Sequence, residues 1–170
     1  MKPRSAGHLY VGHLYDTPHF HPSPGRRHIR LSRRKSGIRF CIHEWTIIYI
    51  IDYLQGGFVH RYSRGAPMTS RPVKDAFQSM VGNPTISFAK VSQVELQACC
   101  DEFERLTVKR NALIHAHPCT DSDGAQILAY QTKVTKPLPD MKWPRAEVEA
   151  IIKEFDVAAC SAGSLLDRLR

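Results

Sequence analysis

The stretch from Ser92 to His115 constrains this chain more than any other. Ser92-Gln93-Val94-Glu95 has the form of a capping box, in which serine and glutamate side chains satisfy orphan backbone N–H groups at a helix start. Leu96, Cys99, Phe103, Leu106, Arg110 and Leu113 then follow at steps of three and four. That spacing is one face of a helix, and the face must be covered by other elements. Pro118 disfavours helix at the residue before it, so the helix is expected to end near residues 115–117.

Other segments supply partners for that face. Residues 38–55 include the block Trp45-Thr46-Ile47-Ile48-Tyr49-Ile50-Ile51 and stop at Gly56-Gly57. Apolar residues all round leave helix and strand open by periodicity alone. The length and the glycine stop favour helix. Residues 71–81 place Val73, Ala76, Phe77, Met80 and Val81 on one helical face, with Pro72 in the first turn and Gly82-Asn83-Pro84 as the stop. A last helix is expected from about Pro144 to Leu169, with Val148, Ile151, Phe155, Ala158, Ala162, Leu165 and Leu169 inward and Glu147 and Glu149 near its positive end. Between the last two helices, Asp121-Ser122-Asp123-Gly124 reads as a turn. Ile127 to Val134 reads as a short extended piece with Leu128, Tyr130, Thr132 and Val134 on one side. The fold class is therefore mainly α, a bundle of four or five helices with an irregular loop and short strand before the last helix. No internal repeat is present.

Charge divides the chain. Its formal net charge is +8. Nearly all of that excess lies in residues 1–36, where Asp16 is the lone acid. This segment is rich in Pro, His, Arg and Gly without an apolar period, and it reads as a basic, disordered arm ahead of a helical domain over 38–170. Arg30, Arg33, Arg34 and Lys35 could lie on phosphates, or could simply form a solvated tail. Its five histidines match no metal-ligand spacing. The chain's five cysteines are odd in number and form no C-x-x-C pair, which argues against a disulfide framework or a zinc ribbon and for a reducing cytoplasm. No window is apolar enough to cross a membrane, and the start has no signal-peptide core.

The anomaly is Arg110, which stands where the stripe calls for leucine. A buried guanidinium without partners costs several kcal/mol, about as much as a whole cluster of core contacts returns. Either it pairs with an acid such as Asp101 or Glu104 of another segment or molecule, or that end of the stripe borders a cleft. A fixed cation in a cleft is suited to phosphate. His115 and His117 follow at the helix end, and histidine moves protons near neutral pH. Together, Arg and His are a minimal set for phosphodiester transesterification, because RNA brings its own 2′-OH nucleophile.

Arg110-Asn111-Ala112-Leu113-Ile114-His115 resembles the motif of the HEPN domain family, in which an arginine and a polar residue precede a histidine four to six intervening residues on. The resemblance covers about residues 40–170 and implies a helical bundle that works as a dimer with both motifs facing one cleft. It implies metal-independent endoribonuclease activity with no cofactor, as in toxin–antitoxin or phage-defence systems. Arg110 would hold the scissile phosphate, Asn111 would orient the pair and His115 would be the acid/base. His117 also fits the spacing and is a weaker candidate for substrate contact. On an ideal helix His115 lies ~140° round from Arg110, so the helix must end or loosen there, or a second chain must contribute.

Three other readings stay open. One is a non-catalytic HEPN-like dimer that binds nucleotide, RNA, or a partner nucleotidyltransferase or antitoxin. Another is a metal held by His115, His117 and Cys119 with Asp121 and Asp123 nearby, although alternate positions align only on a strand. The third is a plain bundle without activity, which leaves Arg110 unexplained.

Overall fold

The computed structural model describes residues 24–64, 69–83, 90–130 and 141–170. Among these residues, five helices and a small sheet follow in order: α1 (Pro24–Gln55), α2 (Phe58–Arg64), α3 (Ser70–Val81), α4 (Gln93–His115), β1 (His117–Thr120), β2 (Gln126–Tyr130), β3 (Met141–Trp143) and α5 (Arg145–Leu169). The protein is thus a mainly helical bundle with a three-stranded insertion before the last helix. Among the described residues, no helix is long and apolar enough to cross a membrane.

The capping box forms as the sequence requires. Ser92 Oγ accepts from the Glu95 backbone N–H, and Glu95 Oε2 accepts from the Ser92 N–H at 2.9 Å. α3 starts at Ser70 and ends at Gly82, whose N–H bonds to the Gln78 carbonyl at 2.9 Å. All seven expected inward positions of α5 are buried. α1 stops where two glycines take positive φ, 61° at Gly56 and 73° at Gly57. Side chains with a Cβ resist that conformation, so the pair turns the chain directly into α2.

One boundary differs from expectation. α1 runs back to Pro24, so no break separates an arm at residue 36 from the domain. Lys, Arg, Leu and Ile are sound helix formers, and Pro suits a first helical position. Charge there hid a helix that has no apolar period. Residues 1–23 lie outside the described residues.

In the insertion, β1 and β2 pair antiparallel with His117 opposite Ala129, and β2 and β3 pair with Leu128 opposite Trp143. The turn at 121–124 closes this hairpin, with Gly124 at φ 80°. Leu128 and Trp143 are buried in the common core, and Tyr130 packs against it. The expected continuation of the strand through Val134 lies outside the described residues. Ala112, off the predicted stripe, is also buried. At the stripe's other end Cys100 rather than Cys99 is the fully buried thiol.

The centre is aromatic. Phe40 of α1 stacks on Phe103 of α4 with ring centroids 5.9 Å apart and meets Phe155 of α5 edge-on at 5.4 Å. His43 joins this cluster, 5.5 Å from Phe103, and is 1% exposed. Ion pairs pin the rims. Lys74 meets Glu104 across α3 and α4, Arg105 and Lys109 share Glu154 across α4 and α5, and Arg39 meets Asp156 across α1 and α5.

Burial holds the His43 imidazole neutral and lowers its pKa from 6.5 to about 4, with the Glu102 carboxylate pulling weakly the other way. The folded state therefore binds this proton less readily than the unfolded chain. The resulting stability is fully present above pH ~6.5 and is lost as pH falls toward 4, by on the order of 3 kcal/mol. Urea denaturation across this range should show that loss, and His43→Phe should flatten it. An equally steep profile in the variant would assign the effect to other groups.

Candidate functional site

Arg110 lies one and a half turns before the end of α4, and its side chain is 22% exposed. The guanidinium carbon sits 4.6 Å from the centre of the Phe40 ring. Nη2 reaches the Ser70 hydroxyl at the start of α3 and lies 3.7 Å from Glu44 Oε1 on α1. Nη1 donates to Asn111 Oδ1 at 2.9 Å. Three helices therefore hold one cation. A planar guanidinium suits this arrangement because it stacks on a ring through its face while its edge donates hydrogen bonds.

The expected acids are not its partners. Asp101 bonds to Gln97 at 2.7 Å, and Glu104 is taken by Lys74. Both lie well round the helix from Arg110, as ~100° per residue dictates. Glu44 was not singled out in the sequence, and neither was Ser70. Each lies in a different helix, more than a helix length away along the chain. The Glu44 side chain is 12% exposed, and its Oε1 has no hydrogen-bond partner among the described residues. At 3.7 Å the Arg110 contact is an ion pair too long for a hydrogen bond.

Tyr62 of α2 borders the same group. Burial first, then the Glu44 carboxylate, pushes its phenol above the usual range, and Arg110 pulls it back. Trp45 stands edge-on to Tyr62, with centroids 5.5 Å apart. The group is thus framed by α1, α2, α3 and α4.

His115 is the last residue of α4 and is exposed. The chain leaves the helix at Ala116 in extended conformation (φ −67°, ψ 146°), so the helix ends where Pro118 requires. Among the described residues, the contacts of Arg110 do not include His115. Asn111 links them indirectly, since it bonds to Arg110 and lies one turn before His115 on the same helix face. His117 is exposed on β1. Arg34 and Lys35 are exposed on α1, ~15 Å along its axis from Glu44. The expected side-chain roles of Arg30 and Arg33 lie outside the described residues.

The expected alternate alignment of metal donors is only partly met, because His117 and Cys119 share a strand while His115 ends a helix. Among the described residues, no group of three or more His, Cys, Asp or Glu side chains gathers. Burial pushes the Cys99 thiol up to about 12 and the Cys100 thiol up to about 11. Both stay protonated near neutral pH and are poor nucleophiles. Comparison with known proteins finds no matching family model, no similar curated protein and no similar solved structure.

Removing Arg110 strands the Glu44 carboxylate against an apolar wall. Arg110→Leu should cost about 2 kcal/mol, below the range for fully buried pairs because this one is partly solvated. The double variant Arg110→Leu/Glu44→Leu should recover at least half of the loss. Additive losses in the double-mutant cycle would show that the two side chains do not interact.

Proposed function

We propose that this protein is a metal-independent endoribonuclease of HEPN type, acting in the cytoplasm as the toxin of a toxin–antitoxin or phage-defence system. The observation that carries this reading is the anchoring of Arg110. Its guanidinium is fixed by Phe40, Ser70 and Asn111 near a helix end, one and a half turns before an exposed histidine that shares the face of Asn111. A preorganised cation stabilises charge that develops on a phosphate without reorganising as it reacts.

The chemistry needs little else. A base removes the proton of an RNA 2′-OH, the 2′-oxygen attacks the adjacent phosphorus, and the bond to the 5′-oxygen breaks as that oxygen gains a proton. The products are a 2′,3′-cyclic phosphate and a 5′-OH. His115 moves protons, Arg110 holds the phosphate and Asn111 keeps the arginine in register. Arg34 and Lys35 on α1 extend positive charge toward an RNA backbone.

A homodimer completes the site by supplying a second histidine. Ile38, Ile42, Trp45, Tyr49 and Tyr53 form a stripe along one face of α1 and are 40–63% exposed. Spacings of three and four residues make it a helix–helix seam. Its middle borders the Arg110 group through Trp45 and Tyr62. A second copy covering this stripe brings two motifs toward one cleft.

A second reading rests on Glu44. A carboxylate facing Arg110 already neutralises much of its charge. In that reading the protein is a non-catalytic HEPN-like dimer that binds nucleotide, RNA, or a partner nucleotidyltransferase or antitoxin, and His115 has no catalytic part.

RNA cleavage in excess EDTA separates the two. The parent chain should cut and leave cyclic phosphate ends, and His115→Ala should lose about 10²–10⁴-fold in rate with its fold intact. Arg110→Gln should be similarly impaired. Ends bearing 3′-OH, or a fully active His115→Ala, would rule out the proposed chemistry. Inertness of the parent would favour the binding reading. Sedimentation should give a dimer at micromolar concentration, which Ile42→Arg converts to monomer. A monomeric parent would rule out the α1 seam.

A further inference from the structure

Around α1, six exposed side chains fall on one face: Arg34, Ile38, Ile42, Trp45, Tyr49 and Tyr53. Their spacing is four, four, three, four and four residues, the same in both directions along the helix. The midpoint lies between His43 and Glu44. A two-fold axis through that point, perpendicular to α1, therefore lays this stripe on the stripe of a second copy running the opposite way. Each residue then meets its counterpart across the midpoint.

The two halves of the stripe are complementary in shape. The N-terminal half carries aliphatic side chains beside a groove of ≈ 710 Å³ that includes Gly37 and Cys41. The C-terminal half carries the rings of Trp45 and Tyr49, 40% and 46% exposed. No atom lies within 4 Å of where a side chain at Gly37 would begin, so the groove is open there. In the antiparallel register Gly37 faces Tyr49 of the second copy, and rings enter the groove as knobs enter holes. A parallel pairing would set Trp45 on Trp45 and Gly37 on Gly37, crowding one end and leaving a void at the other.

Charge selects the same direction. Arg34 and Asp52 lie about five whole turns apart and so stand on the same edge of the stripe. A perpendicular two-fold turns each edge onto itself. Arg34 thus comes beside Asp52 of the second copy and within reach of the ring of Tyr53 there. Among the described residues, neither charge has an ion-pair partner within the chain, and Asp52 Oδ1 accepts from the Val59 N–H at 2.9 Å. Parallel helices would put Arg34 against Arg34.

We propose that α1 pairs antiparallel with α1 of a second copy, in the register that sets Ile38 on Tyr49 and Ile42 on Trp45. This deepens the homodimer reading and rests on its seam, not on the RNA chemistry. It also decides where the two candidate sites lie. Glu44 stands beside the axis, so the two Glu44–Arg110 groups fall at one level and on one face of the dimer. Parallel helices would leave them on opposite faces.

A bump and a hole test the register in the full chain by sedimentation equilibrium. Gly37→Phe adds bulk where a single copy has open space and removes a mid-helix glycine, so the fold should hold. It should raise the dimer dissociation constant about tenfold or more. Tyr49→Ala removes the facing ring and should also weaken the parent dimer. The double variant Gly37→Phe/Tyr49→Ala should dimerise more tightly than Gly37→Phe alone, because the new ring takes the space the tyrosine left. A parent dimer indifferent to Gly37→Phe, or a double variant no tighter than Gly37→Phe, would overturn the register and leave the homodimer standing. A monomeric parent would overturn pairing and seam together. Cleavage is scored separately: rescue in a chain that cuts no RNA would uphold the pairing and count only against the ribonuclease reading.

Discussion

The ring of Phe40 is the point on which the bundle turns. It stacks on Phe103 of α4 and meets Phe155 of α5, and the Arg110 guanidinium lies over it. A single aromatic side chain of α1 thus serves both as core and as the platform of the candidate site. Interiors are packed at near-crystalline density, so a platform of this kind cannot shift without moving its neighbours. The position of the cation follows from the packing of three helices.

Adjacent residues of α1 divide the work. Phe40 and His43 face the core, Glu44 faces Arg110, and Ile42, Trp45 and Tyr49 face outward. An apolar block without periodicity is what such a helix requires, because it meets α4 and α5 on one side and exposes an apolar face on the other. The exposed half of the block is the less usual feature. Large apolar side chains recurring along one exposed helix face mark an association surface more often than chance.

Two polar groups pull against this apolar frame, and they are met differently. Arg110 gathers a ring, a hydroxyl, an amide and a carboxylate. His43 stays neutral, and its Nδ1 has no hydrogen-bond partner among the described residues. Fixed charge demands partners wherever it is buried, whereas an imidazole can shed its charge instead.

Local sequence determined the helices, because their signals are local. The Ser92–Glu95 box, the glycine stop at Gly56-Gly57, Gly82 and Pro118 mark helix ends through contacts a few residues long. The α4 stripe also exposed Arg110 as an anomaly, and the RN-x-x-x-H spacing supplied the resemblance. The helical start of α1 was hidden, since a run of basic residues has no apolar period to betray it. Only the tertiary structure decided that Arg110 pairs with Glu44 and Ser70 rather than with Asp101 or Glu104. It alone decided that Ala112 is buried and that His43 joins the aromatic core. Those pairings join helices distant along the chain. Periodicity shows which face of a helix needs covering, but the packing of whole helices chooses what covers it.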